Sequence, residues 1–348
     1  MYSTVKALNQ RDTSVDILRG LAIFIMVFAN LAPVVGSSYP FIVRFYGSLA
    51  APIFITLSGM MVCLTSQIKQ HPFKYYLIRG ICLIIIGMLI DILIWQILPL
   101  RTVDVLYLIG LSCPLVYLAN KLTLKRLSIL TAFIFLLTPI LQQFLGYSPY
   151  PLEMDFSRNL TVEMNGQTSI FHHWIIDGWF PIFPWVGMAF FGCIIGKLRR
   201  RTRNFNQFQK ESSLIFIITG AILWIFYPGS MYEREGYREL FYPPVPGFFL
   251  LVIGIIILLF YLVDRTHNWQ GWSLFKILGQ SALFMYIVHC LLIGLVIHNY
   301  WENVNFFSVI MIYLVLLTIM VVLGVILKRI KSKNFANGYL FKLILGGK

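Results

Sequence analysis

The sequence predicts an all-α, polytopic membrane helical bundle of about ten transmembrane helices, with both termini in the cytoplasm. Composition is the first reason, since 58% of the 348 residues are hydrophobic and only 12% are charged. The mean hydropathy of +0.78 lies well above that of soluble domains. Apolar runs long enough to cross ~30 Å of hydrocarbon recur along the chain, and basic residues are distributed unevenly among the connections.

Ten apolar runs define the predicted elements. In chain order they are 15–35, 49–68, 75–98, 104–120, 127–146, 178–198, 212–227, 245–263, 277–298 and 306–327. We expect 1–14 to be a cytoplasmic N-terminal segment, 15–327 one transmembrane bundle, and 328–348 a basic cytoplasmic tail. No linker, fixed-period repeat or low-complexity tract divides the bundle.

Basic residues orient the spans. With the N-terminus inside, the only Lys or Arg residues outside are Arg44, Arg101, Arg158, Arg234 and Arg238. This asymmetry follows the positive-inside rule. The net charge of +14 therefore indicates topology and contact with anionic membrane lipids rather than nucleic-acid binding. The five cysteines fall inside predicted spans without metal-ligand spacing, so we expect neither disulfides nor a bound metal.

The first span carries the most informative polar residues. Asp16 and Arg19 are three residues apart and share one helix face near the bilayer edge. Charges there are functional candidates by default, although a helix-start acid and a cytoplasmic anchor arginine would give the same pattern. Asn30, at the far end of the span, needs a polar partner within the bundle.

Polar residues in later spans are also candidates. Asp91 must face the bundle interior, and Arg101 is its expected ion-pair partner. The pair either stabilises the fold or forms part of a functional site. His289 lies in the ninth span, three residues after Tyr286, so the two side chains share a face. A histidine in mid-span is either a functional group or a packing residue with satisfied hydrogen bonds.

The outer connection 147–177 contains His172 and His173, on the extracytoplasmic side of the predicted topology. A solvated histidine pair in a loop is the competing interpretation. The nearby Trp174, Trp179 and Trp185 are typical of an aromatic belt at the membrane surface.

Six stretches, taken in order, resemble motifs of the heparan-alpha-glucosaminide N-acetyltransferase-like family within the transmembrane acyltransferase superfamily. They are SVDILRGLA (14–22), APIFITLSG (51–59), VLYLIGL (105–111), FPWVGMAFFG (183–192), YPP (242–244) and LGQSALFMYIVH (278–289). The resemblance extends over roughly 14–296, which is the whole bundle.

The resemblance implies acyl transfer across a membrane, and we expect the chain to be a multi-pass protein of the bacterial inner membrane. Acetyl-CoA, or a similar acyl-CoA, would serve as co-substrate from the cytoplasm. The acceptor would be an amino or hydroxyl group of an extracytoplasmic or lipid-linked sugar. Cationic residues at the inner mouth would bind the CoA phosphates through charge-assisted contacts, and these are Arg19, Lys74 and Arg79.

Within this interpretation the catalytic residues are His289, Asp16 and Asn30, with His172 and His173 as alternatives. A neutral imidazole would take the acceptor proton, and polar donors would stabilise the oxyanion. A two-step route through an acetylated histidine fits the same residue types.

One departure from the family leaves two other functions open. Relatives commonly place a histidine at the end of the first span or in the connection after it, whereas the first histidine here is His71. This absence favours, as one alternative, an inactive relative that acts as a partner protein. The other alternative is a transporter or flippase whose polar residues line a path. The expected binding partners are acyl-CoA, a saccharide or glycolipid acceptor and membrane lipids, and the sequence is compatible with a homo-oligomer.

Overall fold

A computed structural model describes residues 12–35, 39–147, 153–154, 162–163, 169–201, 205–226, 239–301 and 303–332. Long helices dominate these residues, so the predicted all-α membrane bundle is confirmed. A two-residue antiparallel strand pair joins β1 (Glu153–Met154) to β2 (Val162–Glu163), with Glu153 opposite Glu163.

The helices follow the predicted spans closely. They are α1 (Thr13–Val35), α2 (Phe41–Ser48), α3 (Ala50–Ile68), α4 (Phe73–Ile90), α5 (Val105–Ala119), α6 (Leu124–Leu145), α7 (Ile170–His172), α8 (Ile182–Arg201), α9 (Phe205–Phe226), α10 (Pro246–Thr266), α11 (Ser273–Gly279), α12 (Ala282–Leu291), α13 (His298–Tyr300) and α14 (Phe306–Ser332). Wider π-type turns occupy Asp91–Trp95, His173–Asp177 and Leu292–Ile297, and a 3₁₀ turn occupies Gln270–Trp272.

Nine segments of the described chain are long and apolar enough to cross a membrane. The fourth predicted span is the exception, because α5 has only 15 residues and is about 22 Å long. Asp104 caps its start by accepting a hydrogen bond from the Leu106 N–H at 3.0 Å. At its other end the Lys197 ammonium donates to the Asn120 carbonyl at 2.7 Å. Capping at both ends fixes this short length.

The chain divides into two compact units. The terminal unit combines Met1–Ser37 with Leu259–Lys348, and the central unit is Ser38–Leu258. The domain boundaries expected from the sequence, 1–14, 15–327 and 328–348, stay a prediction. Residues 1–11 and 333–348 lie outside the described residues.

In the terminal unit, α1 and α11 approach each other backbone to backbone. A Cβ on Gly20 would lie 1.8 Å from the Phe275 carbonyl oxygen, and one on Gly279 would lie 1.8 Å from that of Asp16. Helices in membranes commonly associate through such small residues. The Tyr313 hydroxyl of α14 adds a hydrogen bond of 2.9 Å to the Phe24 carbonyl. These contacts fix α1 against the C-terminal part of the chain.

In the central unit, α3 and α8 form the closest pair. A Cβ on Gly59 would lie 2.0 Å from the Ala189 carbonyl oxygen, and one on Gly192 would lie 1.9 Å from that of Thr56. Gly80 of α4 and Gly110 of α5 allow a similar approach, with 2.3 Å from a Gly80 Cβ to the Gly110 oxygen.

Candidate functional site

A buried pair of polar side chains lies in the terminal unit. Asn30 Nδ2 is 2.8 Å from His289 Nε2, although the two residues are 259 positions apart in the chain. His289 is fully buried, and Asn30, near the end of α1, is half-buried. Asn30 and His289, which were selected separately from the sequence, therefore form one hydrogen-bonded pair.

The surroundings of His289 fix its hydrogen positions. Nδ1 lies 3.1 Å from the Met285 carbonyl oxygen, which can only accept a hydrogen bond. In the neutral ring Nδ1 therefore carries the hydrogen, and Nε2 presents its lone pair to the Asn30 amide. The Tyr286 ring packs edge-on against the imidazole, with ring centroids 5.1 Å apart. This is an imidazole held in the form that can accept a proton.

Asp16 and Arg19 lie near the opposite end of α1. Arg19 Nη1 is 3.6 Å from Asp16 Oδ1, and their side chains are 23% and 5% exposed. The predicted shared face is therefore present. Because α1 rises 1.5 Å per residue, Arg19 and Asn30 are separated by about 17 Å along the helix axis.

The predicted acyl-CoA contacts are divided between the units. Arg19 belongs to the terminal unit, whereas Lys74 and Arg79 belong to α4 of the central unit. Lys74 is exposed and Arg79 is half-buried.

The alternative catalytic histidines contact one carboxylate in the central unit. His173 Nδ1 lies 2.8 Å from Asp177 Oδ1, and His172 Nδ1 lies 2.9 Å from the same oxygen. His172 Nε2 also lies 3.1 Å from the Leu145 carbonyl oxygen. Burial favours the neutral form of Asp177, but the contacts with His173 and His172 outweigh it and hold the pKa of Asp177 below its usual range.

Sequence reasoning did not select Asp177 as a site residue. The available signal was its spacing of four residues from His173. The π-type turn, closed by a hydrogen bond from the Gly178 N–H to the His173 carbonyl at 3.0 Å, keeps the two side chains on one face. Such turns recur at functional sites.

Asp91 has a different partner from the one expected. The Tyr107 hydroxyl donates a hydrogen bond to its carboxylate, and the Leu100 N–H donates to the same hydroxyl at 3.2 Å. In the described part of the chain, Arg101 forms no ion pair with Asp91. The chain turns sharply between them, with left-handed backbone at Gln96 and Leu100, while Tyr107 on α5 faces α4.

This pairing predicts a stability difference between two variants. Tyr107→Phe should lower the free energy of unfolding by about 2 kcal/mol, because a buried carboxylate and the Leu100 N–H lose their partner. Asp91→Asn should have a smaller effect, since its amide oxygen still accepts from the hydroxyl. Thermal unfolding in detergent measures both. An unchanged melting temperature for Tyr107→Phe would contradict the assignment.

Among the described residues, no group of three or more His, Cys, Asp or Glu side chains is placed to hold a metal ion.

The apolar helices of the described chain define the class of this protein, which is an integral multi-pass membrane protein. The family described as heparan-alpha-glucosaminide N-acetyltransferase, catalytic, matches residues 11–227, more than half of the chain. The chain belongs to this family of membrane acetyltransferases, as its motifs predicted. No curated protein matches the chain.

The residues matched by the family model include some of the candidate site residues and leave out others. Residues 11–227 include α1, α4 and the histidine pair with Asp177. The resembling stretches 242–244 and 278–289 lie beyond it. His289 lies outside the matched residues, but it contacts one of them, because its Nε2 is hydrogen-bonded to Asn30.

Proposed function

We propose that the chain transfers an acetyl or similar acyl group from cytoplasmic acyl-CoA to a sugar. The acceptor is an amino or hydroxyl group of an extracytoplasmic or lipid-linked saccharide, and the location is the bacterial inner membrane. Family membership supports acetyl transfer in general, and the family's donor is acetyl-CoA. The hydrogen bond between Asn30 and His289 is the observation that carries the proposal for this chain.

The proposed chemistry begins at His289 Nε2, whose lone pair takes the proton of the acceptor O–H or N–H group. As that proton leaves, a lone pair on the acceptor oxygen or nitrogen attacks the thioester carbonyl and forms a tetrahedral oxyanion. When the intermediate collapses, the carbon–sulfur bond breaks, and the imidazolium returns its proton to the departing CoA thiolate.

Asn30 has a second role in this scheme. Its amide lies 2.8 Å from Nε2, and the Cys290 Sγ lies 3.7 Å from the same nitrogen, so an acceptor must displace the amide to reach the base. Once displaced, the amide N–H is free to donate to the oxyanion, and one such donor typically contributes about a hundredfold or more to the rate.

The donor side of the proposal rests on α1. Arg19 is partly exposed beside the buried Asp16 carboxylate, which holds the guanidinium in place. A guanidinium binds phosphate groups through paired hydrogen bonds. The separation of about 17 Å between Arg19 and Asn30 suits a donor that binds by its phosphates and reacts at the end of its pantetheine arm. Lys74 and Arg79 are proposed as further phosphate contacts.

Acetyl-CoA binding tests the donor assignment. Arg19→Ala should weaken binding about tenfold, because a charge-assisted contact to phosphate is lost. Calorimetry on the purified protein measures this, with Lys125→Ala as the control that removes an exposed cation elsewhere. The proposal fails if folded wild-type protein neither binds acetyl-CoA nor transfers labelled acetyl groups to sugar acceptors in proteoliposomes.

A further inference from the structure

A cysteine thiol lies beside the imidazole of His289. Cys290 Sγ is 3.7 Å from His289 Nε2, the same nitrogen that Asn30 Nδ2 approaches at 2.8 Å. All three residues belong to the terminal unit, and both Cys290 and His289 are buried. A thiol is a weak hydrogen-bond donor, and the lone pair of a neutral imidazole nitrogen accepts from it. The pair therefore combines a nucleophile with a base that is within reach of its proton.

The surroundings of the imidazole hold it in this position. Adjacent residues of an α-helix do not normally face each other. Here Nδ1 of His289 lies 3.1 Å from the Met285 carbonyl oxygen, and the Tyr286 ring packs against the imidazole. These contacts fix the ring with Nε2 next to the Cys290 thiol. The base is thus oriented by groups other than the nucleophile, as in other sites with an activated nucleophile.

The backbone beyond Cys290 departs from regular helix. Cys290 is the last residue but one of α12, and the π-type turn Leu292–Ile297 begins two residues after it. Such turns recur at functional sites.

The three side chains have complementary roles in acyl transfer. A buried cysteine is inert unless a neighbouring group removes its proton, and His289 is such a group. Cysteine, histidine and asparagine form the catalytic sites of some acyl-transfer enzymes on unrelated folds. Here the Asn30 amide contacts Nε2 itself, so its role is that of an oxyanion donor rather than of a group that orients the imidazole.

We propose that Cys290 is a catalytic nucleophile that carries the acyl group as a thioester between acyl-CoA and the acceptor. The inference rests on the proposed function and deepens it, because the donor, the acceptor and the base stay the same. It adds one step before the attack by the acceptor.

The added step is a thioester exchange. The Cys290 thiol gives its proton to His289 Nε2, and the thiolate attacks the carbonyl carbon of acyl-CoA. The tetrahedral oxyanion collapses, the bond between that carbon and the CoA sulfur breaks, and the imidazolium returns its proton to the CoA thiolate. Cys290 then holds the acyl group, His289 is neutral again, and no oxidant or other reactant is consumed.

The acceptor then reacts with the Cys290 thioester. His289 takes the acceptor proton as described above, and the leaving group is the Cys290 thiolate in place of the CoA thiolate. The imidazolium returns its proton to Cys290, so the free thiol is regenerated. One base therefore serves both halves of the reaction.

Isotope exchange tests the added step. With acetyl-CoA and labelled free CoA, but without acceptor, wild-type protein should form labelled acetyl-CoA, because the protein keeps the acyl group when CoA leaves. Cys290→Ala should abolish this exchange and lower acyl transfer about a thousandfold or more. Calorimetric acetyl-CoA binding should stay at wild-type strength. The matched control is Cys193→Ala, which removes an equally buried thiol from α8 and should leave exchange unchanged.

A second variant and a chemical readout separate catalysis from folding. Cys290→Ser keeps the size of the side chain and a hydrogen-bond donor beside His289, so its melting temperature should match the wild type. It should not exchange CoA, because a serine hydroxyl is a much weaker nucleophile than a thiolate. In wild-type protein incubated with acetyl-CoA, peptide mass mapping should place the acetyl group on Cys290, and neutral hydroxylamine should release it as it does other thioesters.

Each outcome decides the inference. Exchange that is present in the wild type and in Cys193→Ala, but lost in both Cys290 variants, supports the acyl-cysteine. Transfer without exchange in the wild type, exchange that persists in Cys290→Ala, or an acetyl group mapped to His289 overturns it and leaves the proposed function standing. If folded wild-type protein neither exchanges CoA nor transfers acetyl groups, the proposed function fails as well.

Discussion

Replacing His289 by glutamine should lower acyl transfer at least a hundredfold, about the contribution of a general base. Glutamine fills a similar volume and can still bond to Asn30, but it cannot accept a proton. Acetyl-CoA binding should remain at wild-type strength, because the proposed phosphate contact at Arg19 lies about 17 Å along α1 from Asn30. The measurement pairs labelled-acetyl transfer in proteoliposomes with calorimetric acetyl-CoA binding on the same preparations.

His298→Gln is the matched control, since His298 lies nine residues further along the same predicted span and is half-buried. Wild-type turnover in His289→Gln would refute the assignment and move the base to His172 or His173. Labelled acetyl retained on wild-type protein without acceptor, but absent from His289→Gln, would identify the two-step route.

Gly279→Ala should produce the largest loss of stability, about 3 kcal/mol of the free energy of unfolding. The added Cβ would lie 1.8 Å from the Asp16 carbonyl oxygen and 2.8 Å from the Gly20 nitrogen, both backbone atoms. No side-chain rotation relieves such a clash, so α1 and α11 must separate. The separation should also displace Asp16 and Arg19, so acetyl-CoA binding should weaken with the melting temperature.

Gly196→Ala is the control for this effect, because its new Cβ would meet mainly the Cys63 side chain at 3.2 Å. A small shift of the thiol accommodates that contact. Equal melting temperatures for Gly279→Ala and the wild type would show that α1 and α11 are not packed as described.

Hydropathy alone located most of the membrane helices. The predicted runs 15–35 and 306–327 coincide with α1 and α14 to within a few residues, since apolar length is a local property. The short α5 fell below spanning length because caps, which depend on single side chains such as Asp104, decide where a helix ends. The break between α11 and α12, near the start of the ninth predicted span, also could not be seen from hydropathy, because both helices are mainly apolar.

The site was only partly predictable. Spacing within one helix gave the Asp16–Arg19 pair, because residues three apart share a face in any α-helix. Proximity in sequence predicted Arg101 as the partner of Asp91. It missed Tyr107, whose hydroxyl donates a hydrogen bond to the Asp91 carboxylate from the next helix. It named both histidines of the outer connection but not Asp177, whose contact with both imidazoles depends on the π-type turn.

The sequence by itself determined the membrane class, the positions of the spans and the family, because these depend on local hydrophobic length and ordered motifs. Only the tertiary structure decided which polar groups meet. Asn30 contacts His289 across 259 positions because α1 packs against the C-terminal part of the chain through Gly20 and Gly279. Hydropathy does not encode such pairings, since helices in lipid associate by close packing of small residues rather than by the exclusion of water.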